Sequence, residues 1–161
     1  MAQTRKWRRS VHGSKPASSV HGSTGHDSGC RKRAGSSASA TTTYGSNTAI
    51  DAIDGDFGTY WNSGGFTGSL TVSFASAATL GGVRLFVSAL PTTSETYTIF
   101  GYQNGNPTQI GQSTQTAQQG GGALSTIAVT PGSYDAIRVD VNGNQSWVAI
   151  NEMSLTTTYC P

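Results

Sequence analysis

Ala49-Ile50-Asp51-Ala52-Ile53-Asp54-Gly55-Asp56-Phe57-Gly58-Thr59-Tyr60-Trp61 is the most informative stretch of this chain. It packs three aspartates into six positions, whereas Ala34 to Pro161 holds only seven acidic side chains in all. Like charges crowded into a turn repel one another unless a cation lies among them. Hard cations take such carboxylates together with backbone carbonyls on irregular loops, and calcium is the expected ion. Gly55 permits a sharp bend, Thr59 adds a hydroxyl, and Trp61 can anchor the loop in a core. Turn and cap chemistry, in which Asp is favoured, accounts for the same cluster without any ion. Read alone, the stretch leaves both explanations open.

Outward from this loop, the chain divides by charge. The formal net charge of +2 hides two opposed halves. Eight of the ten basic residues lie before Ala34, with Asp27 the only acid there, which gives that stretch +7. The remainder has Arg84 and Arg138 against seven acids, giving −5, and contains no lysine. Residues 1–39 are rich in Ser, Gly, His and basic side chains and nearly devoid of apolar ones. Such a segment buries too little surface to offset its ordering entropy, so a disordered basic leader is expected there. A basic tail either meets nucleic acid or an anionic surface, or is a solvated linker or gene-start artefact. The plainer reading is favoured, and no nucleic-acid contact is expected of the folded domain. Arg5 to Arg9 are followed by no apolar stretch, so no signal peptide is visible, and no run approaches a membrane span.

Residues 40–161 are expected to form one domain around a single core. Their pattern has period two. Leu70, Val72 and Phe74 alternate with Thr71 and Ser73, and Val83, Leu85 and Val87 with Arg84, Phe86 and Ser88. Tyr97 and Ile99, Ile127 and Val129, then Ile137, Val139 and Val141 continue it. Turn signals stand between: Gly81-Gly82, Asn104-Gly105-Asn106-Pro107, Gly120 to Gly122, Pro131-Gly132 and Asn142-Gly143-Asn144. The class this predicts is all-β, an antiparallel β-sandwich or jelly roll. Ile50 and Ile53 suit a single helical turn.

In the last strand the apolar parity flips, from Val148 and Ile150 to Met153 and Leu155, across Asn151 and Glu152. A β-bulge produces such a flip and re-aims a side chain. Glu152 is otherwise a carboxylate in an apolar strand, a costly placement without a partner. One account covers both oddities: Glu152 and the Asn151 carbonyl turn toward the cation of the aspartate loop. The two cysteines, Cys30 and Cys160, either form a bridge closing a loop of about 130 residues or stay unpaired. A bridge that long is worth roughly 4–5 kcal/mol on chain-entropy models.

Two segments resemble the ends of a discoidin domain, also called the coagulation-factor type C domain, and most nearly its family-32 carbohydrate-binding modules. Ala52-Ile53-Asp54-Gly55-Asp56-Phe57-Gly58-Thr59-Tyr60-Trp61 is similar to the family's early loop, and the stretch from Asn142 to Met153 to its late segment. The likeness spans about Ser36 to Leu155. It implies a structural calcium ion held by the Asp51 carbonyl, Asp54, Asp56, Thr59, the Asn151 carbonyl and Glu152. It also implies a sugar site on loops at one end of the sandwich. The family's histidine after the first-motif tryptophan is here Asn62. Gly65, with Phe66 one step on, stands at its stacking aromatic, and Thr92 follows Leu90-Pro91 where an arginine is usual. The candidate sugar contacts are Asn62, Phe66, Tyr102, Asn142, Asn144, Gln145 and Trp147, the last also suited to a core role.

The function expected is therefore a non-catalytic carbohydrate-binding module or small lectin, secreted or extracellular, with a glycan or polysaccharide as partner. The alternatives are a discoidin domain that binds membrane phospholipid, or one that binds a protein partner in adhesion. The domain holds no histidine and no cysteine but Cys160, which removes the usual bases and thiol nucleophiles, so no enzyme is expected. Asn144-Gln145-Ser146 is formally a glycosylation sequon.

Overall fold

The computed structural model describes residues 36–119 and 122–156. Seven strands form one antiparallel, hydrogen-bonded system: β1 Ser37–Ala40, β2 Trp61–Asn62, β3 Thr67–Ser88, β4 Thr93–Gln103, β5 Asn106–Ala117, β6 Ala123–Gly143 and β7 Ala149–Thr156. The only helical element among the described residues is a 3-10 turn, Ala49–Ala52, where the isoleucine spacing suggests a helical turn. The all-β sandwich is what the period-two pattern dictates.

Two long strands build both layers. The first part of β3 pairs with the end of β6, from Thr67 opposite Asn142 to Ser73 opposite Ala136. Its second part pairs with the start of β6, from Ala78 opposite Tyr134 to Val87 opposite Ala123. A register shift between Ser73 and Ala78 lets the pair cross together from one layer to the other. On one side β1, β4 and β5 extend the layer; on the other, β7 and then β2 do so.

This arrangement corrects two expected turns. Gly81-Gly82 and Pro131-Gly132 lie inside β3 and β6, not between strands. Leu80 pairs with Gly132 and Gly82 with Ala128, so residues 129–131 form an unpaired excess opposite Gly81. Pro131 sits where no ladder donor is required, and the glycines relax the bend. By contrast, Asn104-Gly105 does make the β4–β5 hairpin turn, with φ of 50° and 80°. β1 begins at Ser37, so the folded part takes in the last residues assigned to the leader. Its four residues pair antiparallel with Leu70 to Ser73 of β3, and that main-chain pairing holds them.

Inward side chains of both layers fill one core, including Leu70, Leu80, Leu85, Ile99, Ile137, Val139 and Ile150. Trp61 is fully buried and donates its indole N–H to the Thr42 carbonyl at 2.9 Å. That anchors the aspartate loop to the core at its downstream end. Cys30 and Cys160 lie outside the described residues.

Candidate glycan face and metal loop

The aspartate loop folds by satisfying its own amides. Thr48 N–H donates to the Asp51 carboxylate at 2.7 Å, which closes the start of the 3-10 turn and leaves the Asp51 carbonyl facing inward. Asp54 accepts from Asp56 N–H at 2.8 Å, and Asp56 from Gly58 N–H at 2.8 Å. Gly55 turns the chain between them with φ of 87°, a conformation that disfavours any Cβ. Thr59 then points back into the loop. Its Oγ1 lies 2.9 Å from an Asp54 carboxylate oxygen, 2.9 Å from the Asp56 carbonyl and 3.5 Å from the Asp51 carbonyl. One hydroxyl proton can serve only one of these three oxygens. Thr59 N–H also reaches the Asp56 carbonyl at 3.3 Å, so the donors are still fewer than the oxygens gathered here, a crowding that a hard divalent cation would relieve.

β7 closes over this loop from 97 positions away. Phe86 pairs with Glu152 and Val87 with Ile150, so Asn151 is the extra residue of a bulge. Sequence parity had pointed to that place. Glu152 accepts from Gly55 N–H at 3.0 Å, and Asn151 Nδ2 donates to the Phe57 carbonyl at 3.3 Å. Asn151 Oδ1 is buried with no hydrogen-bond partner. Among the described residues no three His, Cys, Asp or Glu side chains converge as a metal cluster. A cation held here would therefore rest chiefly on carbonyl, amide and hydroxyl oxygens, with Asp54 and Glu152 supplying charge. Such a donor mix suits calcium far better than zinc or copper.

A second group of loops interlocks nearby. Ser63 N–H donates to the Val148 carbonyl, Val148 N–H to Gly65, and Gly143 N–H to Phe66, at 3.1, 3.0 and 2.7 Å. The β6–β7 loop and the loop after β2 thus share one backbone network. Ser146 Oγ accepts from Leu90 N–H at 3.0 Å and donates to the Leu90 carbonyl at 2.8 Å, adding the β3–β4 loop. Tyr44 joins through its N–H to the Asn62 carbonyl at 2.9 Å, and its side chain packs beside Gly64.

These loops carry most of the expected sugar contacts but not all in the expected role. Phe66 is 58% exposed, and Asn142, Asn144 and Gln145 are exposed around it. Asn62 is only 5% exposed and caps Gly64 N–H at 2.7 Å, so it shapes the loop from beneath. Trp147 is half-buried and stacks on Tyr60, with planes 18° apart and centroids 6.4 Å apart. Tyr102 lies elsewhere. It pairs with Ala136, six positions up β6 from Asn142, a separation of roughly 20 Å along the strand. There its hydroxyl accepts from Arg138 at 2.8 Å, and that guanidinium also covers the Phe100 ring and pairs with Asp140. Sequence reasoning missed Tyr44, which is 65% exposed at the loop end. Its only signal was an aromatic beside a glycine turn in a hydroxyl-rich segment.

Below the loops sits Glu95, fully buried at the start of β4. Tyr97 donates its hydroxyl to one carboxylate oxygen, and the other has no partner. Burial pushes the Glu95 carboxyl up to about 7, a rise the Tyr97 hydrogen bond opposes. Burial likewise drives the Tyr97 phenol above its ordinary range, with the Glu95 charge adding to the effect.

Comparison with solved structures identifies the architecture. The family-32 carbohydrate-binding module of Clostridium perfringens NanJ, solved with galactose, superposes with a TM-score of 0.64 at 22% identity, covering 74% of this chain and 92% of that one. This chain has the discoidin fold of family-32 modules. The family-32 module of AlyQ, solved with 4,5-unsaturated mannuronic acid, gives 0.58 at 22% identity, over 74% and 92%. A pectin-binding carbohydrate-binding module gives 0.62 at 15% identity, over 77% and 91%. No family model and no curated protein matches the chain.

Proposed function

We propose that this discoidin-fold domain is a non-catalytic carbohydrate-binding module that works outside the cell, with a structural calcium ion in the aspartate loop. The observation that carries the reading is the loop face itself. Tyr44 and Phe66 stand exposed beside Asn142, Asn144 and Gln145, on loops braced by mutual backbone hydrogen bonds. Sugar recognition needs aromatic faces with a few fixed polar groups around them, and this face supplies both. Three neighbours of the same fold were solved with galactose or a mannuronic acid derivative, or are described as binding pectin, which supports a glycan as the ligand class.

Calcium would be held by the Asp51 and Asp56 carbonyls, Asp54, Thr59, Asn151 and Glu152. Its part would be to tie the loop before Trp61 to β7, the strand that follows the glycan loop. The lipid reading gains no support from the loop end. Arg138 is tied to Asp140, Phe100 and Tyr102 on the sheet, and Arg84 lies mid-strand on β3, so the exposed Tyr44, Phe66 and Leu90 have no basic partner from either. A glycan array with the full chain tests the proposal: binding that Phe66→Ala weakens supports it. A silent array with capture by anionic liposomes refutes it.

A further inference from the structure

β6 runs on from the glycan loops as an open file of side chains. Asn142, at the loop end, shares its face of the strand with Asp140, Arg138 and Ala136, whereas Val141, Val139 and Ile137 between them are buried. Each outward residue has a register partner on either side, and such partners project from the same face. On β3 these are Thr67, Ser69, Thr71 and Ser73, an unbroken row of hydroxyls. On β4 they are Thr96, Thr98, Phe100 and Tyr102. None of these side chains is buried. The file is roughly 20 Å long and, over three strands, about 10 Å wide.

Its far end is held in one arrangement. Arg138 lies across the Phe100 ring, 4.5 Å from the centroid, and donates to the Tyr102 hydroxyl at 2.8 Å and to Asp140 at 3.1 Å. Its Nε is 2.8 Å from the other Asp140 oxygen. An ion pair this exposed adds little stability. It does fix two rings, a carboxylate and a guanidinium before any ligand arrives, which lowers the ordering cost of binding. Tyr102 accepts in this network, so its own proton remains to be donated, and three of the five guanidinium donors are engaged. Beside them Thr98 accepts from Gln112 Nε2 at 3.0 Å, and Thr96 shares a 2.9 Å bond with Thr114.

The makeup of the file narrows its ligand. Arg138 and Asp140 are its only charges and they cancel, so a polyanion or an anionic membrane finds nothing to grip. Phe100, Tyr102 and Ala136 are too few apolar groups for the dry centre of a protein interface. Hydroxyls and amides with two rings among them suit a ligand that is itself covered with hydroxyls. We propose that the outer face of the sheet, from Asn142 to Tyr102, is a binding track continuing the loop end, and that its ligand is an uncharged linear polysaccharide. A short glycan occupies the Tyr44 and Phe66 end alone; a long chain runs on down β6 to the Phe100 and Tyr102 rings. The ligand class presupposes the glycan reading of the loop end, whereas dependence on chain length is the track's own property.

Affinity electrophoresis of the full chain through gels holding galactan, mannan, mixed-linkage glucan or, as a charged control, polygalacturonate is the test. An uncharged polymer should retard the protein, and calorimetry with its fragments should show affinity rising as they lengthen beyond a disaccharide. Tyr102→Ala and Phe100→Ala should each weaken binding of the polymer about tenfold while leaving its disaccharide unchanged. Phe66→Ala should weaken both. The length series needs only the wild-type chain, so it decides even where a variant fails to fold. Equal affinity for short and long fragments, polymer binding that survives Tyr102→Ala, or stronger retardation by polygalacturonate overturns the track and leaves the loop-end site standing. Gels and array that are both silent remove the glycan reading with it. A dimer in sedimentation that Tyr102→Ala splits also overturns the track, by giving the face to a second copy.

Discussion

Replacing Glu95 by Gln should make the protein more stable at alkaline pH, although the change removes a charge and adds no contact area. The folded-state value of about 7 stands above the ordinary 4.5. A carboxyl whose value rises on folding contributes its full share of stability below pH 4.5, where both states hold the proton. That share declines as pH climbs toward 7, because the folded protein must surrender a proton it binds more tightly. Above 7 the loss is complete. At about 1.4 kcal/mol per unit, a rise of roughly 2.5 units costs about 3.5 kcal/mol. Gln keeps an acceptor for the Tyr97 hydroxyl and never ionises.

Urea unfolding of the full chain at pH 5 and pH 8.5 reads this directly. Subtracting variant from wild type cancels every contribution the two proteins share. At pH 5 the two should differ little. At pH 8.5 the variant's midpoint should lie higher by about 1.7 M, for a urea slope near 2 kcal/mol per molar. If the difference between the proteins is the same at both pH values, burial does not raise the Glu95 carboxyl and the reasoning fails. A variant that loses stability only at pH 8.5 would refute it equally.

Other predictions follow from the same geometry. With calcium at 10 mM and a dissociation constant of about 0.1–1 mM, the native state should gain roughly 1.4–2.7 kcal/mol. Differential scanning should register this as a higher Tm that Asp54→Ala and Glu152→Ala each abolish, and identical melts with calcium and chelator would remove the site. Phe66→Ala and Tyr44→Ala should each weaken binding to an array-selected glycan about tenfold, near 1.4 kcal/mol, while Tyr102→Ala leaves it unchanged. Isothermal calorimetry decides, and equal effects at all three positions would move the glycan off the loop end. Trp61→Ala should cost about 3–5 kcal/mol in urea unfolding, because it empties a fully buried site and strands the Thr42 carbonyl.

How far the chain could be read in advance depended on whether a feature was local or long-range. Alternation exposed the strands because one face of each is buried and the other is wet, and that contrast is written in consecutive residues. The bulge at Asn151 was legible for the same reason, since an extra residue must flip the parity of everything after it. Gly81-Gly82 and Pro131-Gly132 were misread as turns. Nothing local tells a glycine that ends a strand from one that lets two paired strands bend together, because the distinction lies in a partner 50 residues away. Tyr102 failed similarly: an aromatic on a β-strand reads the same at either end of a sandwich, and only register put it beside Arg138.

Glu95 marks the limit most sharply. In sequence it is one acidic residue in an alternating strand, with no motif around it. Its inward parity with Tyr97 and Ile99 was visible, and that parity alone placed a carboxylate in the core. A buried carboxylate without a cation must either stay protonated or find donors. Tyr97, two residues on and therefore on the same face, supplies one donor; the sequence contains that pair as plainly as it contains the aspartates. The second oxygen has no partner, and Gly143 of β6 comes beside it only once the sheet has formed. The carboxyl thus has one partner that the sequence shows and one oxygen left bare by the assembled sheet, and burial in that state is what raises it to about 7.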